Sequence, residues 1–292
     1  MPNGVPSGAL ALDKPSGITS AGAVARVKRL LPRKTKIGHT GTLDPIASGL
    51  LILLIGRATR LSRYVMGQDK TYTATARFGA TSDTLDADGE ITALNLPMPI
   101  EDDIRAALPH FTGDLLQTPP MASALKIGGE RLYNLHRRGI TVERESRPVK
   151  ITAFELISVD PVQESATFEI RCSSGTYVRS LISDLATSLE TGAYLTALRR
   201  TSVGDISVDY ATSLEELASG TINNHIIQSS KVLGGLRAFE VEPTEIANIC
   251  NGRKLWPCAL EGTFRVESGG ELLAVYRSDG VEARAEVVLC GP

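Results

Sequence analysis

The chain has 292 residues, of which 42% are hydrophobic and 22% are charged, and its formal net charge is -2. This composition is typical of a folded globular protein with room for one large and one small domain, and it argues against disorder. The first residues lack the basic and apolar regions of a signal peptide, and no apolar run approaches the ~18 residues of a membrane span. We therefore expect a cytoplasmic protein without membrane contact.

Positive charge is concentrated in two short segments, although the chain as a whole is slightly acidic. No acidic residue lies between Asp13 and Asp44, and a second basic cluster follows later in the chain. The cations of the two clusters are Lys14, Arg26, Lys28, Arg29, Arg33, Lys34 and Lys36, and then Arg131, Arg137 and Arg138. One such cluster is typical of a solvated helix face, but two clusters on either side of the loop from Gly38 to Pro45 indicate a polyanionic partner.

The first predicted helix begins with Ser20 as its cap. Its apolar residues Val24, Val27 and Leu31 recur at helical spacing, and Pro32 ends it. A buried strand is predicted over residues 50–55. From Lys70, apolar and polar residues alternate through residue 78, which predicts a half-buried strand.

Further elements follow in chain order. We predict a hairpin turn at 86–89, a short acidic helix at 100–108, strands at 122–127, 149–159 and 166–172, and a helix at 176–190. Helices interleaved with antiparallel hairpins indicate an α+β fold. The last helix has an apolar stripe that predicts packing on a sheet, with Arg179 at the edge of that stripe.

The glycine-rich region at 220–237 is typical of a linker. The residues after it predict a small β module with one helix near 243–250 and hairpin turns at 268–270 and 278–280. We therefore predict a large domain over residues 1–235 and a small domain over 236–292.

The cysteines and histidines predict neither a metal site nor a disulfide framework. Cys172, Cys250, Cys258 and Cys290 show no C-x-x-C spacing, and the four histidines are dispersed. We expect the cysteines to be structural and reduced.

The loop from Gly38 to Pro45 contains one carboxylate, Asp44, directly before a buried strand. Glycine permits a close approach of backbone to ligand, and Pro45 biases Asp44 toward an extended conformation. Such a carboxylate is either a turn former or a nucleophile. The chain has no P-loop, dinucleotide-binding, nucleophile-elbow or zinc-protease motif, which favours chemistry without a cofactor. Arg179 is a candidate to lower the pKa of Asp44, and Tyr72 is a candidate for base stacking or proton chemistry.

Six motifs then occur in a characteristic order. They are Leu12-Asp13-Lys14-Pro15-Ser16-Gly17, the loop from Gly38 to Pro45, Lys70-Thr71-Tyr72, Pro119-Pro120 with Ser123-Ala124-Leu125-Lys126, Gly175-Thr176-Tyr177-Val178-Arg179-Ser180-Leu181 and Leu198-Arg199-Arg200-Thr201. From about residue 9 to about residue 205 the chain resembles the TruB-type pseudouridine synthases. The small C-terminal module resembles a PUA domain, an RNA-binding module.

The resemblance implies a pseudouridine-synthase fold, with a mixed, largely antiparallel sheet flanked by helices. It implies an enzyme that flips a uridine out of the T arm of tRNA, at position 55, and isomerises it to pseudouridine without cofactor or metal. Asp44 is then the nucleophile, Tyr72 packs on the target base and Arg179 pairs with Asp44. Substrate contacts are implied for His39, Tyr72, Tyr177, Leu198 and Lys14, although Lys14 is equally compatible with a structural salt bridge.

Two other functions stay open. The first is a tRNA-binding or tRNA-folding helper with little catalytic role. The second is a guide-RNA-dependent relative, which shares the core motifs and works inside a protein complex. The absence of long basic tails favours the standalone enzyme, so no obligate protein partner is expected.

Overall fold

Strands make up most of the regular structure in the computed structural model, which describes residues 7–291. The strands are β1 (Gly8–Lys14), β2 (Ile37–His39), β3 (Ser48–Ile55), β4 (Lys70–Phe78), β5 (Ala80–Ser82), β6 (Ile91–Ala93), β7 (Gly113–Gln117), β8 (Lys126–Ile127), β9 (Glu130–Arg131), β10 (Arg147–Asp160), β11 (Ser165–Cys172), β12 (Ala193–Val203), β13 (Ile206–Ser207), β14 (Ile226–Ile227), β15 (Arg237–Glu240), β16 (Glu261–Ser268), β17 (Glu271–Asp279) and β18 (Ala283–Val288). The helices are α1 (Ser20–Lys28), α2 (Ser62–Met66), α3 (Glu101–Ala107), α4 (Leu132–Arg137), α5 (Val178–Ser188), α6 (Leu214–Ser219) and α7 (Ile246–Cys250).

The described residues form two compact units. The first comprises residues 7–44, 49–68 and 202–291, and the second comprises 45–48 and 69–201.

In the first unit, β1 lies between β14 and β3, and β2 pairs with the end of β3. Seven of the eight residues of β3 are buried, so its unbroken apolar run reflects burial on both faces. The strand predicted over 50–55 is therefore confirmed. The same unit contains a four-stranded sheet in the order β15-β16-β17-β18, in which β15 and β16 run parallel.

In the second unit, the strand order is β12-β4-β11-β10-β7. The pairings of β4 with β11, β11 with β10 and β10 with β7 are antiparallel. Burial in β4 alternates from Tyr72 to Phe78, as its period of two predicts. Helix α5 buries the predicted apolar stripe, including Leu181 and Leu185. The predicted α+β class, with a largely antiparallel sheet and a small C-terminal β module, is confirmed.

The segment predicted as a linker is packed rather than extended through solvent. Val232 and Leu233 are buried in one cluster with residues of β1, β3 and β17, and Ile222 is also buried. The linker prediction is wrong because these apolar side chains outweigh the glycines around them. The division into domains 1–235 and 236–292 stays a prediction.

Two of the four cysteines are bonded, contrary to the prediction. Cys250, at the end of α7, forms a disulfide with Cys290, while Cys172 and Cys258 are free and buried. The two bonded residues are 40 positions apart in sequence, so spacing gave no indication that the fold brings them together.

Candidate active site

The loop that carries Asp44 is anchored on both sides of its exposed centre. Thr40 is buried, and both its backbone N–H and its hydroxyl donate to the carbonyl of Ile52 on β3, at 3.0 and 3.2 Å. Leu43 is also buried. Between them Gly41 has a φ of 150°, a value that favours glycine. The half-buried carboxylate of Asp44 thus follows directly on a fixed residue.

Ser20 supplies the anchor of Leu43. Its hydroxyl accepts a hydrogen bond from Leu43 N–H at 2.8 Å and donates one to the Leu43 carbonyl at 3.0 Å. The prediction that Ser20 caps the first helix is wrong, because Thr19 is the cap and accepts from Gly22 N–H at 2.9 Å. The helix ends at Lys28, earlier than Pro32 suggested.

The other predicted site residues of the first unit lie in different surroundings. His39 is half-buried at the end of β2. Lys14 is fully buried, and its ammonium group donates to the carbonyls of Pro15 at 3.0 Å and Ile18 at 2.7 Å. These contacts are with backbone carbonyls, so both the salt bridge and the substrate contact considered for Lys14 stay predictions.

The first basic cluster is otherwise at the surface. Its six exposed members are Arg26, Lys28, Arg29, Arg33, Lys34 and Lys36. Three of them, Lys28, Lys34 and Lys36, line a cavity of about 510 Å³ that also reaches His39. Among the described residues that line this cavity there is no carboxylate, so it presents positive charge beside the strand that leads into the Asp44 loop.

In the second unit, two predicted residues lie on strands and a third directly precedes a helix. Tyr72 is 8% exposed on β4, opposite Ile170, and Leu198 is 7% exposed on β12. Tyr177 directly precedes α5. The side-chain amide of Gln117 accepts from Tyr177 N–H at 2.7 Å and donates to the Tyr177 carbonyl at 3.0 Å. This buried amide fixes the backbone of Tyr177, and sequence reasoning missed it.

Arg179 is a buried cation with defined partners in its own unit. It is 4% exposed, its Nε lies 3.4 Å from a carboxylate oxygen of Asp86, and its other nitrogens donate to the carbonyls of Thr84 at 2.6 Å and Ala122 at 2.8 Å. The guanidinium is therefore held in one orientation. Its predicted pairing with Asp44 stays a prediction.

Asp86 was interpreted from sequence only as part of a hairpin turn. The turn is confirmed, since β5 and β6 pair on either side of it, but Asp86 is 4% exposed and faces Arg179. Thr84 Oγ1 donates to its carboxylate at 2.6 Å and Asp88 N–H at 3.1 Å. The only indication in the sequence was that the turn at 86–89 contains two aspartates, Asp86 and Asp88, although one is enough to form such a turn.

Lys70 on β4 and Cys172 on β11 are two further buried ionisable groups. Burial, with the neighbouring charge of Arg200, lowers the pKa of Lys70 to about 8. Burial raises the pKa of the Cys172 thiol to about 11.

The family model described as TruB family pseudouridylate synthase (N terminal domain) matches residues 28–178. The chain belongs to this family. The predicted enzyme class, pseudouridine synthase, is therefore confirmed.

Relatives match over nearly the whole chain. A protein of Mycobacteroides abscessus called tRNA pseudouridine synthase B is 39% identical over 97% of this chain and 96% of its own length. A protein of the same name from Azoarcus sp. (strain BH72) is 42% identical over 94% of this chain and 92% of its own.

Solved structures agree in fold. The crystal structure of a Cbf5-Nop10-Gar1 complex gives a TM-score of 0.75 at 23% identity, over 97% of this chain and 85% of that chain. An archaeal box H/ACA sRNP Nop10-Cbf5 complex gives 0.73 at 24%, over 97% and 86%. At this level of identity the likeness shows the fold alone.

Among residues 7–291, no three His, Cys, Asp or Glu side chains are grouped to hold a metal ion. Within the same range, no helix is long and apolar enough to cross a membrane.

Proposed function

We propose that the chain converts a uridine in the T arm of tRNA, at position 55, to pseudouridine. The relatives that match over almost the full length are called tRNA pseudouridine synthase B, which supports tRNA as the substrate. The T arm and the position rest on the motif resemblance. The observation that carries the chemistry is the Asp44 carboxylate on an anchored loop, inside the segment that the family model matches.

The reaction is an isomerisation and needs neither a redox change nor a second substrate. The bond between the ribose C1′ and the uracil N1 breaks, the uracil turns, and a bond forms between C1′ and C5. The proton on C5 leaves and N1 gains one, so atoms and electrons balance. Asp44 acts as the nucleophile toward base or ribose and is released at the end. No cofactor or metal enters these steps.

The remaining site residues position the base and support the carboxylate. Tyr72, Tyr177 and Leu198 provide aromatic and apolar surface for the uracil, and His39 contacts the displaced nucleotide. Arg179 keeps Asp44 ionised, because a neighbouring guanidinium favours the charged form of a carboxylate. The contacts of Arg179 with Asp86, Thr84 and Ala122 support this role by fixing the guanidinium before substrate arrives.

The basic surface supplies binding energy for base flipping. Extruding a stacked nucleotide costs a few kcal/mol, which contacts with the RNA backbone must offset. The exposed lysines at the 510 Å³ cavity, Lys28, Lys34 and Lys36, are suited to phosphate contacts. Shape and phosphate recognition also suit a folded RNA stem better than base-edge reading.

The decisive experiment uses purified protein and unmodified tRNA transcript, without nucleotide or added metal, followed by mapping of pseudouridine. We expect one product in the T arm. Asp44→Asn should abolish it, while Asp114→Asn, which changes an exposed carboxylate on β7, should not. A product outside the T arm refutes the site assignment, and pseudouridine made by Asp44→Asn refutes the nucleophile.

The same assay decides between the proposal and the two alternatives. Tight tRNA binding by the wild type without pseudouridine indicates a tRNA-folding helper. A guide-dependent enzyme should make no pseudouridine on bare transcript when its guide RNA is missing. Turnover on bare transcript by the purified chain excludes that dependence.

A further inference from the structure

Trp256 is the single tryptophan of the chain, and it is 72% exposed in the C-terminal β module. A tryptophan is among the side chains that gain most from burial, and exposed aromatic residues are characteristic of binding surfaces. The module has a core of its own around Phe264 and Tyr276. Trp256 is therefore left outside a core that is available in the same module.

The loop that carries Trp256 is fixed to the sheet on both sides. Leu255 and Ala283 exchange two backbone hydrogen bonds, at 3.0 and 2.9 Å. The Tyr276 hydroxyl donates to the Arg253 carbonyl at 2.8 Å, and the N–H of the buried Cys258 donates to Val281 at 2.9 Å. The exposed indole thus sits on a preorganised backbone, so binding to it costs little ordering entropy.

Cations lie close to Trp256 in the sequence and on the neighbouring strand. Arg253 and Lys254 precede it, and no acidic residue lies between Glu245 and Glu261. The pairing of Leu255 with Ala283 places Lys254 opposite Arg284 on the neighbouring strand, where the Arg284 side chain is 72% exposed.

Two carboxylates lie near these three cations. Glu282 contacts Lys254 at 3.1 Å and Arg284 at 2.6 Å, and hydrogen bonds from Arg284 and Lys254 lower its pKa. Backbone hydrogen bonds lower the pKa of Asp279 in the same turn. Both carboxylates are ionised at neutral pH, and the cations still outnumber them.

We infer that Trp256, with Arg253, Lys254 and Arg284, is a stacking site for an unpaired nucleotide of the RNA substrate. A flat indole stacks on any base, and the surrounding cations match the phosphates on either side of that base. This inference rests on the proposed function, because it takes tRNA as the ligand. It adds a contact in the C-terminal module to those around Asp44.

The single tryptophan allows a direct test with the full chain. Asp44→Asn, which should bind without turnover, is titrated with tRNA transcript while tryptophan emission is recorded and corrected for absorption by the RNA. Stacking on a base should quench the emission, with a midpoint equal to the Kd from filter binding. In the wild-type background, Trp256→Ala should weaken tRNA binding about ten-fold, and Trp256→Phe by much less, because it keeps an aromatic face.

A matched control separates stacking from general loss of apolar surface. Leu116→Ala removes a side chain that is 76% exposed on β7, and it should leave the Kd within about two-fold. The inference is overturned if the emission is unchanged at saturating tRNA, or if the Kd of Trp256→Ala lies within two-fold of the wild-type Kd. Either result is also expected if Trp256 is instead covered by a partner protein. If wild type makes pseudouridine in the T arm but Trp256 does not respond, only this inference fails. If Trp256 is quenched but no pseudouridine forms, only the proposed function fails.

Discussion

The adjacent hydroxyls of Thr19 and Ser20 make contacts of different kinds. Thr19 caps α1, whereas Ser20 is buried and holds the residue before Asp44 through two hydrogen bonds. From sequence both are suitable helix caps, because cap preference depends on residue type and both types are favoured. Only the position of Leu43, 23 residues away, distinguishes them.

We predict that Ser20→Ala lowers kcat about ten-fold, because the loss of both contacts lets the Asp44 loop move out of reacting geometry. KM should change little, since Ser20 is buried and does not face substrate. Thr19→Ala is the matched control and should lower the free energy of unfolding by about 1 kcal/mol with kcat preserved. Single-turnover kinetics and urea unfolding of both variants check this. Equal kcat losses in the two variants would contradict the assigned role of Ser20.

The buried Lys70 should make the free energy of unfolding depend on pH. Burial lowers its pKa from 10.5 to about 8, so between these values the unfolded chain binds more protons and the free energy of unfolding rises with pH. Burial raises the pKa of Cys172 from 9.0 to about 11, which acts in the opposite direction as the pH approaches and passes 9. Between pH 8 and 9 the contribution of Lys70 is about 1 kcal/mol and exceeds the opposing contribution of Cys172.

Urea unfolding at intervals from pH 7.5 to 9 tests this expectation. Lys70→Met should remove the rise, whereas Lys150→Met, at an exposed position of β10, should retain it. Parallel pH profiles for wild type and Lys70→Met would show that Lys70 does not titrate in this range.

At the scale of elements, the spacing of apolar residues correctly predicted the strands and helices that have one regularly buried face. The alternation in β4 and the apolar stripe of α5 both correspond to their observed faces. The strand predicted at 122–127 is reduced to β8, Lys126–Ile127. There the apolar residues Leu125 and Met121 pack in a small cluster with α4 instead of forming a ladder. A short apolar run in a sequence does not show whether its residues will form a strand or pack in a cluster without one.

Two of the four carboxylates in the β5–β6 hairpin loop, Asp86 and Asp83, should differ in importance. Asp86→Asn removes the buried carboxylate facing Arg179, and it should lower the free energy of unfolding by about 3 kcal/mol and reduce kcat. Asp83 is half-exposed and pairs with His136 at 3.2 Å, so Asp83→Asn should cost less than about 1 kcal/mol. Thermal unfolding and single-turnover assays of the pair provide the comparison. A similar cost for both variants would show that the Arg179 contact contributes little.

At the scale of the whole molecule, the chain order differs from the spatial grouping. Residues 202–291 belong to the same compact unit as the N-terminal strands, although sequence composition suggested a separate module behind a linker. The motifs point to candidate site residues because each motif is local. The sequence did not predict the contacts of Gln117, Asp86 and Ser20, because each of these residues contacts a residue distant in sequence. The separations are 60, 93 and 23 positions.

The net charge of -2 opposes RNA binding, so binding must depend on segregated cations. We predict a steep salt dependence: with about six phosphate contacts, tRNA affinity should fall roughly 10³-fold between 50 and 200 mM salt. The double variant Lys34→Glu and Lys36→Glu changes two exposed residues at the basic cavity. It should reduce the slope of log K against log salt by about two. Filter binding across this salt range measures the slope. A flat response in wild type would mean that phosphate contacts do not carry binding, and an unchanged slope in the double variant would place them elsewhere.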